Sequence, residues 1–178
     1  EQPLESVLEA PSVLEAPPTV GITGMSIQLP GQISSPSGLW KALRAQECHV
    51  SSDPPSRWSR ACESIGLDQR SMPGIFGGAF LSDEDIGLAD FDHLSFGLSI
   101  AEVEELDPHV CLMLQSAQKA MQEAKLSPNS VHKVGMFVAA STENFIKPMP
   151  GFQLPRLLAQ TLKLDGPCEH VSSACTSS

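Results

Sequence analysis

Residues 99–125 carry two helix starts in immediate succession, and no other stretch constrains the fold as tightly. Ser99 stands three residues before Glu102. In that capping-box pairing a hydroxyl and a carboxylate each satisfy a backbone N–H that the helix leaves open. It predicts a short helix ending near Leu106. Asp107 then offers a second N-cap acceptor, and Pro108 fits the first helical position, where a missing N–H costs nothing. Val110, Cys111, Leu114, Ala117 and Met121 follow at helical spacing, so this second helix has one apolar face and ends near Lys125. An apolar face must cover something. Residues 133–140 read as a buried strand, 152–161 as a further helix and 169–174 as a final strand. Helices alternating with short apolar strands predict an α/β domain with a largely internal sheet.

The earlier part of the chain has a different texture. Residues 1–18 contain a tandem hexapeptide, Ser6-Val7-Leu8-Glu9-Ala10-Pro11 and then Ser12-Val13-Leu14-Glu15-Ala16-Pro17. The recurring proline breaks any helix, and the period is too short for a repeat fold. The segment reads as an extended linker, or alternatively as a docking segment that orders on a partner. The folded domain is expected over 19–178. Within it, 19–25 reads as a buried strand, 26–35 as a loop with the turn pair Pro30-Gly31, and 36–46 as a helix presenting Leu39, Trp40 and Leu43. A Pro/Ser/Arg-rich loop holds Asp53-Pro54-Pro55-Ser56-Arg57-Trp58. Residues 72–96 are rich in Gly, Phe and Asp, a loop with short strands near Gly77-Gly78-Ala79-Phe80-Leu81. Trp40, Trp58 and the phenylalanines are expected to anchor the core.

Composition removes several function classes. Eleven Lys+Arg against 21 Asp+Glu give a net charge of −10, which argues against binding nucleic acid through phosphate neutralisation. No apolar run is long enough to span a membrane, and the acidic, proline-containing first residues are no signal peptide. Cys48, Cys62, Cys111, Cys168 and Cys175 are odd in number and lack C-x-x-C spacing. Zinc and a disulfide framework are therefore not expected, and free thiols in a reducing compartment, the cytoplasm, are. Asp83-Glu84-Asp85 reads as a solvated loop rather than a metal site.

Cys175 has the surroundings of a nucleophile. It lies among Ser172, Ser173, Ala174, Thr176, Ser177 and Ser178, just after the final expected strand. Small neighbours let the chain turn sharply and let a carbonyl group approach. Several further motifs fall into one order with it. They are Ile22-Thr23-Gly24-Met25 with Leu29-Pro30-Gly31, Pro54-Pro55-Ser56-Arg57-Trp58, Gly77-Gly78-Ala79-Phe80-Leu81, Phe91-Asp92 and Phe96-Gly97-Leu98-Ser99. Glu102 through Asp107-Pro108, Leu112-Met113-Leu114 and Val134-Gly135-Met136-Phe137-Val138 continue the order, and Ser173-Ala174-Cys175-Thr176-Ser177-Ser178 closes it. From about Thr19 onward the chain resembles the β-ketoacyl synthases, in the form of the ketosynthase domain of modular type I polyketide synthases.

The resemblance implies a thiolase-like fold, a duplicated α/β/α core of which these residues supply most of the first half, truncated at the nucleophile. It implies that Cys175 takes an acyl group from the phosphopantetheine arm of an acyl carrier protein. A malonyl-type extender then loses carbon dioxide and attacks the thioester. No cofactor is bound directly. The implied partners are the carrier protein, a second copy of the full domain and neighbouring synthase domains. In the family the thiolate is favoured by a helix that begins at the cysteine. Two histidines and a lysine that follow the nucleophile are also implied, and none of those positions falls within these residues. Hence the 178 residues alone are expected to activate Cys175 little. The competing expectation is an inert truncated piece with at most a structural or dimerisation role. His49, His93, His109, His132 and His170 are not assigned catalytic work. His170 lies five positions before Cys175, roughly 16 Å along an extended strand and on the opposite face, and is expected to be a surface or packing histidine. His109 stands where the family has glutamine and Cys111 where it has arginine; Ser173 and Thr176 are mild exchanges.

Overall fold

A computed structural model describes residues 19–52, 55–57, 63, 66, 77–82, 91–126, 134–140 and 149–173. The expected linker, Trp58, Cys62, Asp83-Glu84-Asp85, His132 and Cys175 lie outside them.

Helix α1 spans Pro36–Ala45. Ser35 caps it, accepting from the Gly38 N–H at 3.1 Å, and it stops at Gln46, whose φ of 54° is left-handed. A tight turn precedes it, closed by Leu29 N–H to the Ile33 carbonyl at 2.9 Å, with Gly31 at φ 83°. Trp40 is not a core anchor: it is 63% exposed, whereas Ala42 is buried. At 100° per residue the two lie about 160° apart around the helix, so burying one exposes the other.

The strand expected over 19–25 does not form. Val20 and Ile22 are 93% and 82% exposed. An extended apolar segment becomes a strand only beside a partner, and among the described residues the two strands present pair with each other. Instead the segment rests on helix α3 (Pro108–Glu123): Met25 N–H donates to Glu123 Oε2 at 2.6 Å. A Cβ on Gly24 would stand 2.1 Å from the Ala120 carbonyl oxygen. The short strands expected near 77–81 reduce to one antiparallel bridge between Ser51 and Gly78.

The double helix start is formed as written. Helix α2, Ile100–Glu105, has the full capping box: Ser99 N–H donates to Glu102 Oε2 at 2.8 Å and Glu102 N–H to Ser99 Oγ at 3.3 Å. These bonds, first from the Ser99 backbone and then from its hydroxyl, hold the Glu102 carboxyl below the usual glutamate range. A lowered carboxylate stabilises above its unfolded pKa and loses that contribution as pH falls through the folded value. The melting-temperature gap between the native chain and Ser99→Ala is therefore expected to be widest near neutrality. It should close on acidification below about pH 4; a gap independent of pH would refute this.

Helix α3 begins at buried Asp107, which accepts from His109 N–H at 2.9 Å and meets His109 Nδ1 at 2.6 Å. Its face buries Val110, Cys111 and Leu114 against Phe91, Phe96, Val138, Leu154 and Leu158. Phe91 and Phe96 stack at 5.2 Å. Burial, and after it the Asp107 carboxylate, pushes the Cys111 thiol up.

Strand β1 (Met136–Ala139), helix α4 (Gln153–Thr161) and strand β2 (Cys168–Val171) complete the described elements. The strands are parallel, with Met136 opposite Cys168 and Ala139 opposite Val171. Both are shorter than the apolar runs suggest. α4 packs on both strands and on α3, burying Leu154 and Leu158. The other face of this strand pair is open, with Phe137 at 65% exposure, so the sheet described is covered on one side rather than internal. Together with Trp40 and Leu43 this leaves large apolar groups in water. The chain is expected to self-associate with rising concentration in sedimentation velocity. A monodisperse monomer with a cooperative melt would count against that expectation.

Candidate active site

The site expected from sequence centres on Cys175, four positions past the end of β2, and the structure describes its support up to Ser173. That support is built from three ties. The entry of β2 is a close backbone approach: Gly166 N–H donates to the Val134 carbonyl at 3.0 Å, and Met136 N–H to the Pro167 carbonyl at 2.8 Å. A Cβ on Gly166 would fall 2.4 Å from the Val134 carbonyl group, so no side chain fits there. The ladder fixes the register of the strand itself. At the exit, His170 Nε2 lies 2.8 Å from the Ala140 carbonyl oxygen.

β1 and β2 run parallel, so their carboxyl ends share one edge, the edge at which open α/β sheets place their ligands. Ser172 and Ser173 leave that edge exposed to solvent. The described chain thus reaches the carboxyl-terminal edge of the strand pair at Ser172 and Ser173.

The described thiols differ in exposure. Cys48, Cys111 and Cys168 are free; Cys111 is buried, Cys168 half-buried and Cys48 exposed. The Cys168 thiol donates weakly to the Gly166 carbonyl at 3.6 Å. Two of the described histidines are engaged within five positions of themselves. His93 Nδ1 meets the Leu98 carbonyl at 2.6 Å, and His109 is held by Asp107. His49 Nε2 comes within 3.4 Å of Glu47 Oε2 without hydrogen-bond geometry. His170 is half-buried, and its bond to the Ala140 carbonyl is not legible in the sequence. The one signal was a histidine at an inward position of an apolar strand. Among the described residues no cluster of three metal-ligating side chains occurs, and no helix is long and apolar enough to cross a membrane.

Residues 18–178 match the family profile described as the β-ketoacyl synthase N-terminal domain. Phthioceranic/hydroxyphthioceranic acid synthase of Mycobacterium tuberculosis is 31% identical over 178 residues, covering 89% of this chain and 8% of that protein. Polyketide synthase PksR of Bacillus subtilis is 32% identical over 161 residues, 89% of this chain and 6% of that protein. The chain thus spans a small fraction of the curated relatives it matches. Among solved structures, the ketosynthase from module 6 of the bacillaene synthase of Bacillus subtilis 168 superposes with a TM-score of 0.68 at 23% identity. It covers 88% of this chain and 27% of that one. The oxazolomycin ketosynthase domain of Streptomyces albus JA3453 gives 0.69 at 22% identity, over 88% of this chain and 30% of the other.

Proposed function

The chain belongs to the β-ketoacyl synthase family, within its N-terminal domain, and we propose that it is the acyl-accepting part of a polyketide ketosynthase with Cys175 as nucleophile. Its fold is the amino-terminal part of the thiolase-like ketosynthase fold. One observation carries the reading: the Ser-Ala-Cys-Thr-Ser-Ser segment begins two positions past the carboxyl end of a strand whose register is fixed at both ends.

The chemistry is a transthioesterification. The Cys175 thiolate attacks the carbonyl carbon of an acyl thioester on a carrier protein's phosphopantetheine. The new carbon–sulfur bond forms, the old one breaks, and the pantetheine sulfur leaves and takes up a proton. A malonyl-type thioester then loses carbon dioxide. Its carbanion attacks the acyl-cysteine, a carbon–carbon bond forms, and the cysteine sulfur departs as thiolate. The proposed organisation is a linker over 1–18 and the domain part over 19–178. The proposed partners are an acyl carrier protein, a second copy of the full domain and further synthase domains. No cofactor is held by the chain itself. Free thiols support a reducing compartment, the cytoplasm.

A second reading makes these 178 residues a structural or inert piece. Trp40, Leu43 and Phe137, exposed as they are, favour it, because such faces belong inside a larger assembly. Incubation with an acyl thioester, followed by intact mass and peptide mapping, decides between the two. One acyl group mapped to Cys175 supports the first reading. No adduct above background labelling of Cys48 supports the second.

A further inference from the structure

We infer that His170 is a positioning residue: its imidazole ties the carboxyl end of β2 to the backbone just beyond β1 and fixes the point from which residues 172–175 depart. The inference rests on the reading of Cys175 as nucleophile. His170 shares the α4-covered face with its ladder partner Val138, which is buried. The ladder ends at the pair Ala139–Val171, and Ala140 is the first residue past β1. Its carbonyl accepts from His170 Nε2–H at 2.8 Å. A carbonyl only accepts, so the neutral ring carries its proton on Nε2, and the imidazolium donates from the same atom.

The other edge of the imidazole occupies the space a side chain at residue 151 would need. A Cβ on Gly151 would stand 2.4 Å from both Nδ1 and Cε1. Gly151 lies two residues before α4 begins. One ring thus touches the exit of β1, the approach to α4 and the strand that leads to Cys175. Strand ends open most readily, because nothing beyond the last pair holds them. Here the side-chain bond carries the tie one residue past the ladder. The direction of the next few residues matters, since a misplacement of about 1 Å at a reacting atom costs on the order of 100-fold in rate. Filling space alone needs no donor; holding the exit does.

His170→Leu keeps volume and removes the donor, while His170→Gln puts an amide N–H where Nε2 stood. Gly151→Ala displaces the ring without touching His170. In the 178-residue chain two quantities are read: Cys175 acylation against acyl-thioester concentration, and amide hydrogen exchange at residues 171–173. His170→Leu is expected to lower the limiting acylation rate ~10-fold with an unchanged half-saturating concentration, and to speed exchange ~10-fold. His170→Gln should restore both to within ~2-fold, Gly151→Ala should reproduce the loss, and the double variant with His170→Leu should be no worse. Unchanged exchange and rate in His170→Leu, or a His170→Gln as impaired as His170→Leu, overturns the inference. If the native chain takes no acyl group while the exchange pattern holds, the nucleophile reading fails and the tie at the strand exit stands.

Discussion

Cys175→Ala takes up no acyl group above the background of exposed Cys48: intact mass with peptide mapping puts transfer at least ~100-fold below the native rate. Among the described residues, the expectation follows from where the other thiols sit. Cys111 is enclosed by α3 and its partners, and burial and Asp107 hold it protonated. Cys168 is half-covered and directed at the Gly166 carbonyl. Cys48 is exposed, so it sets the background and must be mapped separately. Acyl uptake that persists in Cys175→Ala would remove the nucleophile assignment itself.

Much of the frame around that residue is legible in the sequence, and the reasons are local. Ser99 with Glu102, and Asp107 ahead of Pro108, satisfy backbone donors within a few positions, so short-range chemistry fixes these helix starts. Three members of the α3 stripe are buried as the periodicity requires. The misses are long-range. Residues 19–25 have strand composition, but a strand is a relation between two segments, and theirs runs to the end of α3 instead. Trp40 is large and apolar, yet its angular distance from Ala42 leaves it in water. The tie from His170 to Ala140 joins positions 30 apart, and no sequence period links them. The proposed nucleophile is marked in the sequence by its neighbours, whereas the histidine on the strand before it becomes visible only in the fold.

Leu114→Ala should remove about 3 kcal/mol of stability, the usual cost of a core leucine that leaves a cavity behind. Leu114 has no exposed surface and lies at the centre of the α3 face, where Phe91, Phe96, Val138, Leu154 and Leu158 meet. A domain of this kind holds roughly 5–15 kcal/mol in all, so one truncation takes a large share. Leu114→Met conserves volume and should cost less than about 1.5 kcal/mol. Leu43→Ala, on α1 at 61% exposure, is the counter-case and should stay within about 0.5 kcal/mol. Urea midpoints of the three variants check the ranking, with the slope held constant. A Leu114→Ala midpoint close to that of Leu43→Ala would mean that this cluster does not organise the fold. The consequence reaches the site, because the α3 face supports α4 and α4 covers the strand pair. A chain that loses Leu114 should lose exchange protection along β1 and β2 together, and with it the fixed direction from which Cys175 is presented.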